Sequence, residues 1–234
     1  MTYGGDEVLV WWMSVASPAT DAVGRWHATL DAAERARAER FRFAADRAAY
    51  IAAHALTRAL LSEAAGLPPE EWSFVLGAAG KPAVDPALGI DLRFSLSHTR
   101  GLVAAAVCAR HELGVDVEGH DRVREVLGIA DRFFAPAEIV ALRALTDDDT
   151  RADAFLRIWT LKEAYLKATA RGLGDGLGGF SVTLDPIGIA EHADEWQLLQ
   201  LCPTPRHVLA VALHRHVDEP VTFVSRSLLP DELG

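Results

Sequence analysis

The longest apolar runs in the chain, Val8–Ala16 and Gly101–Ala109, are nine residues each. That length suits a buried strand and is far short of the roughly 20 residues that a bilayer-spanning helix needs. Strand-sized runs alternate here with stretches of helical periodicity, so the pattern predicts a mixed architecture. In the first half a strand over Val8–Val15 precedes a helical stretch from about Trp26 to Phe43. A second helix follows, carried by Ala49, Ala53, Leu56, Leu60 and Leu61 and closed by Gly66 and Pro68. Strands are expected at Trp72–Leu76, Leu92–Leu96 and Leu102–Ala109, with turns at Gly80-Lys81-Pro82 and from Ser97 to Gly101. The second half loosely repeats the order. It has a short strand at Gly114–Glu118, a helix start at Pro136, and a helix from about Arg151 to Ala170 that ends at Gly172. Strands near Phe180–Leu184, Trp196–Leu201, Val208–Leu213 and Val221–Val224 complete it. The expectation is an α+β fold of two successive halves, residues 1–112 and 113–234.

Charge and cysteine usage remove several classes of function. The net charge of −10 argues against general nucleic-acid binding. It is also uneven: residues 1–112 hold 11 basic and 13 acidic side chains, residues 113–234 hold 12 and 20. Two cysteines, Cys108 and Cys202, are too few for a disulfide framework and lack metal-site spacing. The Val8 run follows Asp6 and Glu7 rather than a basic segment, so it does not read as a signal peptide, and a cytoplasmic chain is expected. Asp147-Asp148-Asp149 reads as a solvated loop between helices.

Four segments could carry chemistry. In Gly114-Val115-Asp116-Val117-Glu118, strand alternation puts Asp116 and Glu118 on one face, about 7 Å apart. Two such carboxylates suit Mg²⁺, which fills its remaining positions with water and phosphate oxygens; a strand with a solvated polar side has the same pattern. In Trp159-Thr160-Leu161-Lys162-Glu163-Ala164-Tyr165-Leu166-Lys167, helical spacing gives Glu163 and Lys167 one face, with Lys162 beside them. A surface Glu–Lys pair would look alike. However, the chain has only three lysines, Lys81, Lys162 and Lys167, among 23 basic residues. A compact ammonium is a different tool from a guanidinium, and phosphate binding is one of its uses. Phe94-Ser95-Leu96-Ser97-His98-Thr99 ends a strand in hydrogen-bonding side chains that could hold an anion or merely shape a turn. Arg35, Arg37, Arg40 and Arg42 are spaced along one early helix and could equally be a solvated face.

Taken in order, these segments resemble one family, the Sfp-type 4'-phosphopantetheinyl transferases. Gly114–Glu118 resembles the family's GIDIE-like strand. Trp159–Lys167 resembles its W-x-x-K-E-A-x-x-K helix. Gly80-Lys81-Pro82 and Phe94–Thr99 are similar to two upstream motifs, and Phe133-Phe134-Ala135-Pro136-Ala137-Glu138 to a Phe-Phe-x-x-x-Glu segment between the signatures.

The resemblance implies a 4'-phosphopantetheinyl transferase fold, with two similar α+β halves related by a pseudo-twofold axis. Residues 1–112 would form the coenzyme A nucleotide side, and residues 113–234 the metal-binding side. It implies a holo-[acyl-carrier-protein] synthase activity that moves 4'-phosphopantetheine from coenzyme A to a serine of an apo acyl or peptidyl carrier protein, releasing adenosine 3',5'-bisphosphate. Mg²⁺, or Mn²⁺ in its place, would be held by Asp116, Glu118 and Glu163. Lys162 and Lys167 would lie near the phosphates, and Gly80, Lys81 and Pro82 near the adenine. Ser97 and His98 would contact phosphate groups and Arg37 the 3'-phosphate. At this point Glu34 and Ala38 stand where further basic residues are common. Glu163 and Lys167 would be catalytic. The length favours a monomer, and the resemblance implies a carrier protein of fatty-acid, polyketide or nonribosomal-peptide synthesis as partner, with no nucleic acid or membrane. Two other readings stay open on the residues alone: a Mg²⁺-dependent phosphohydrolase, and a carrier-binding module without turnover.

Overall fold

A computed structural model of the protein describes residues 6–16, 20–77, 80–122, 125–170, 176–192, 194–215 and 221–233. The chain forms two compact units, Met1–His111 together with Val217–Gly234, and Glu112–His216. In chain order the first unit holds β1 (Glu7–Ser14), α1 (Thr20–Thr29), α2 (Ala32–Ala38), α3 (Ala44–Ala65), β2 (Phe74–Leu76), β3 (Pro82–Val84), β4 (Arg93–Thr99) and β5 (Leu102–Cys108). The second holds β6 (Glu112–Gly119), α4 (Val126–Phe133), α5 (Pro136–Ala144), α6 (Asp148–Thr169), β7 (Val182–Leu184), β8 (Ile187–Ile189), β9 (Trp196–Thr204) and β10 (His207–His214). β11 (Thr222–Leu228) belongs to the first unit again. None of the helices among the described residues is long and apolar enough to cross a membrane.

The first unit is built on a sheet of order β11-β1-β5-β4. Ile51, Leu56, Leu60 and Leu61 of α3 are buried in one cluster with Val103, Ala105 and Val107 of β5. The sequence reading gives everything after residue 112 to the second half, but the C-terminal segment returns to the first. β11 pairs in parallel with β1 from Glu7↔Thr222 to Met13↔Leu228, and Trp26 Nε1 donates to the Leu233 carbonyl at 3.0 Å. The physical reason is that β1 pairs with β5 along one side only, and the backbone groups along its other side also need partners.

The helix expected over Trp26–Phe43 is broken in two. Asp31 caps α2: its side chain accepts from Glu34 N at 2.8 Å, while Glu34 Oε2 accepts from Asp31 N at 3.0 Å. This reciprocal capping box forces a helix start where the periodicity alone reads as continuous. Likewise, the Asp147–Asp149 run is no loop: Asp147 caps α6, and Asp148 and Asp149 occupy its first turn, where carboxylates favour the helix dipole. β4 runs on through His98 to Thr99, so only Arg100 and Gly101 remain as the turn to β5; Gly101 takes φ of 84°. α4, β3 and β8 are additional to the sequence expectation, and Gly172, the expected end of α6, lies outside the described residues.

Beneath α2 lies a buried ion network. Glu34 Oε1 meets His54 Nδ1 at 2.7 Å, and its Oε2 accepts from Arg58 Nη2 at 2.7 Å and Nε at 3.0 Å. Arg58 is fully buried and also donates to the Pro69 and Trp72 carbonyls at 2.9 and 2.8 Å. Burial works to raise the Glu34 pKa, but the hydrogen bond and charge of His54, then the charge of Arg58, hold it below its ordinary 4.5. A depressed carboxyl contributes stability that is present above its unfolded pKa and is lost as pH falls through the folded one. Urea midpoints should therefore drop as the pH goes below about 4.5, and Glu34→Gln should flatten that drop. At pH 7 the same variant should cost about 2 kcal/mol, because Arg58 loses its main counter-charge. An unchanged acid limb in Glu34→Gln would contradict this account.

Candidate active site

The second unit places its chemistry where α6 crosses the sheet β6-β10-β9. Gly114 makes that crossing close. A Cβ added there would sit 2.0 Å from the Ala164 carbonyl, 2.6 Å from Ala168 N and 2.8 Å from Lys167 Cβ. Only a residue without a side chain lets the helix backbone come this near the strand. The approach carries Lys167 onto the strand: Nζ donates to the Val115 carbonyl at 3.0 Å and to Asp116 Oδ1 at 2.7 Å. Asp116 is only 5% exposed, whereas Glu118, two residues on, is half-buried. The strand is therefore not solvated along its whole polar side, and the two carboxylates differ in environment.

Glu163, half-buried one turn before Lys167, has its carboxyl pushed up to about 7. Burial is the main cause, followed by the charge of Asp116; Lys167 opposes the rise and Glu118 adds to it. Asp116 and Glu118, the other carboxylates expected to hold a metal, are thus within electrostatic reach of Glu163 and disfavour its ionised form. No three His, Cys, Asp or Glu side chains among the described residues are gathered closely enough to form a metal-binding group on their own. The donor set nevertheless fits a hard divalent cation. It consists of oxygens only, carries excess negative charge, and leaves positions for water and phosphate.

Lys162 does not join this group. It is fully buried, with Nζ donating to the Leu177 and Phe180 carbonyls at 2.6 and 2.5 Å and paired with Glu138 Oε2 at 3.0 Å. Burial lowers its pKa, and the charge and hydrogen bond of Glu138 work against that fall. The sequence expectation of a phosphate contact is corrected here, because the helix turns this side chain into the core while Lys167 faces β6. A signal was present in the sequence: Ile158, Tyr165 and Leu166 stand four before and three and four after position 162 on the same helix face, and all three are buried. Glu138 was also legible only as part of a motif. Its carboxylate caps α5, accepting from Ala135 N at 2.8 Å, and ties in Val182 N at 2.8 Å.

The remaining expected residues lie in the first unit. Arg37 is exposed on α2, its guanidinium 6.0 Å from the Tyr50 ring centroid, beside an open hollow lined by Ala33, Arg37, Arg40 and Phe41. Glu34 and Ala38 are buried on the inner side of the same helix. They do not occupy the outer positions where basic residues would act, so their presence takes nothing from an anion site there. Gly80, with φ of 78°, and Lys81 close the β2–β3 hairpin that Pro82 enters. Phe74 of that hairpin packs on Phe94 of β4 with centroids 5.1 Å apart. At the far end of β4, Ser97 is buried and His98 exposed.

Two family models match the chain in succession. Residues 16–110 match the 4'-phosphopantetheinyl transferase N-terminal model, and residues 112–212 match the 4'-phosphopantetheinyl transferase superfamily model. The chain is 35% identical to the 4'-phosphopantetheinyl transferase HetI of Nostoc sp., over 91% of this chain and 90% of that protein. This chain belongs to the 4'-phosphopantetheinyl transferase family. It is accordingly an enzyme of the transferase class, with an α+β fold.

Three further matches cover less of this chain. The 4'-phosphopantetheinyl transferase of Bacillus subtilis is 33% identical over 70% of each chain. The human L-aminoadipate-semialdehyde dehydrogenase-phosphopantetheinyl transferase is 28% identical over 80% of this chain and 69% of its own. A solved holo-[acyl-carrier-protein] synthase of Thermotoga maritima matches 44% of this chain and 62% of its own at 20% identity, with a TM-score of 0.37. The two family models meet between residues 110 and 112, which is also where the first compact unit gives way to the second.

Proposed function

We propose that this transferase moves 4'-phosphopantetheine from coenzyme A to a serine of an apo acyl or peptidyl carrier protein, with Asp116, Glu118 and Glu163 holding a divalent cation, Mg²⁺ or Mn²⁺. The observation that carries the reading is the placement of Lys167 on Asp116 at 2.7 Å beside a Glu163 whose carboxyl is raised to about 7. Crowded carboxylates with one ammonium among them are what a site needs if it is to receive a cation and a diphosphate together. In the first unit, Gly80, Lys81 and Pro82 would take the adenine, Ser97 and His98 phosphate oxygens, and Arg37 the 3'-phosphate. Two family models in succession on one chain favour a monomer, and a cytoplasmic location fits coenzyme A as co-substrate.

The carrier serine oxygen forms a bond to the β-phosphorus of coenzyme A, the phosphorus that bears pantetheine. The bond from that phosphorus to the bridging oxygen breaks, and adenosine 3',5'-bisphosphate leaves with the electron pair. A serine hydroxyl is a weak nucleophile at its free pKa and needs a base in reach. Glu163 takes its proton, directly or through a water. Lys167 offsets negative charge as it shifts toward the leaving oxygen. A bound Mg²⁺ would polarise the diphosphate oxygens.

Two variants test these assignments. Glu118→Ala removes a half-buried side chain, so the melting temperature should barely move while turnover falls about a hundredfold. Unchanged turnover with a lowered melting temperature would make the residue structural. Glu163→Gln separates base from ligand, since it keeps the shape and one acceptor but loses charge and basicity. If the residue is mainly a base, turnover falls about a hundredfold while Mg²⁺-dependent coenzyme A binding by calorimetry is kept. An equal loss of binding assigns it to the cation.

A further inference from the structure

The Phe133–Glu138 motif is not used by the site described above, and neither is Lys162. The two belong to one buried assembly. All three Nζ hydrogens of Lys162 are committed, to the Leu177 and Phe180 carbonyls and to Glu138 Oε2. The ammonium also lies 4.3 Å from the centroid of Phe180 and 5.8 Å from that of Phe134. Glu138 is equally committed. Its Oε2 is shared between Lys162 and Ala135 N, and its Oε1 accepts from Val182 N. One buried pair therefore joins α6 to the first turn of α5, to the turn at Leu177–Gly179 and to the start of β7.

The next residue of α6 after Lys162 is Glu163, and Lys167 follows one turn later. Toward β6, the helix is seated by the close contact at Gly114. That contact fixes how near the helix comes to the strand, and the Lys162–Glu138 pair fixes its rotation from the α5 side. A small rotation of α6 would carry the Glu163 carboxyl and the Lys167 ammonium away from Asp116 together. An apolar side chain at 162 would fill the space without specifying that rotation.

We propose that Lys162 and Glu138 are positioning residues for transfer: their buried ion pair sets the rotation of α6 that aims Glu163 and Lys167 at the reacting phosphate, and neither touches coenzyme A. The inference rests on the roles given above to Glu163 and Lys167.

The test compares Lys162→Met, Glu138→Gln and the double variant, assayed well below every melting transition. Coenzyme A binding is read separately by calorimetry with Mg²⁺. Misaiming of a reacting group costs turnover and spares ground-state binding, so each single variant should lose about tenfold to a hundredfold in kcat. The coenzyme A Kd should stay within about twofold of wild type. The double variant should be no worse than the poorer single, since both remove the same unit. A Lys162→Met protein that binds coenzyme A about tenfold more weakly, beside a Glu138→Gln protein of normal affinity, would make Lys162 a phosphate ligand and overturn the proposal. So would wild-type kcat in both folded singles, which would leave the pair purely structural. Glu138→Gln keeps the volume of the site, and if Lys162→Met does not fold it decides alone: a kcat loss with coenzyme A affinity kept supports the positioning role, whereas wild-type kcat, or a loss of affinity as large as the loss of kcat, overturns it. Glu163→Gln, run alongside, keeps the two claims apart: full activity there removes the reading beneath this one, whereas an inactive Glu163→Gln beside fully active pair variants overturns the positioning role alone.

Discussion

Gly114→Ala should destroy the second unit's ability to hold its site, with stability falling by more than about 4 kcal/mol and transfer activity lost with it. The added methyl would lie 2.0 Å from the Ala164 carbonyl and 2.6 Å from Ala168 N. Both neighbours are helix backbone, which cannot swing aside as the end of a flexible side chain could. Relief requires α6 to lift off β6, and that movement withdraws Lys167 from Asp116 and Val115. A second glycine supplies the control. Gly128 lies exposed within α4, and nothing stands within 4 Å of a Cβ built there. Gly128→Ala should be neutral or stabilising by up to about 1 kcal/mol, from the better helix propensity of alanine. Thermal melts of both proteins check the pair. A Gly114→Ala melting temperature equal to wild type would mean that the strand and helix are not in the close contact described.

Lys167→Ala should lower turnover about a hundredfold, the usual loss for one preorganised charge partner at a reacting centre. Stability should fall as well, by about 1–3 kcal/mol. Helical spacing alone also allows a surface Glu–Lys pair, whose loss would barely move the melting temperature. The structure instead joins it to a carboxylate that is only 5% exposed, and that carboxylate would be left without its cation. Lys167→Arg should fall between wild type and alanine in rate. It keeps the charge, but a planar guanidinium cannot reach Asp116 Oδ1 and the Val115 carbonyl from the point where a compact ammonium does. Single-turnover rates at saturating coenzyme A, with melts in parallel, decide the order. Wild-type turnover in Lys167→Arg would mean that charge alone matters and placement does not.

Much of this site is legible in the chain because its chemistry depends on local spacing. Asp116 and Glu118 alternate on a strand, and Glu163 and Lys167 share a helix face, so both pairs can be read without tertiary information. What could not be read depends on what packs against each face. Lys162 and Lys167 are the same residue type five positions apart, and the apolar positions around 162 show that it faces a core but not that Glu138 lies there to pair with it. Glu34 and Ala38, which seem to weaken the arginine helix as an anion site, point inward to Arg58 and the core and leave Arg37 outside. The break at Asp31 and the start of α6 at Asp147 were recoverable from capping chemistry, which hydrophobic periodicity overrode. The return of β11 to β1 left no local trace, since a parallel pairing between residues more than 200 positions apart depends on an open strand edge rather than on either sequence.

The measurement that bears most directly on the whole account is the intact mass of an apo carrier protein after incubation with this enzyme and coenzyme A. The reaction is run with Mg²⁺, with EDTA, and with Glu118→Ala in place of the wild-type chain. The account predicts one added phosphopantetheine on the carrier serine and equimolar adenosine 3',5'-bisphosphate in the first reaction, with almost none in the other two. Full modification in EDTA, or by Glu118→Ala at the wild-type rate, would contradict it.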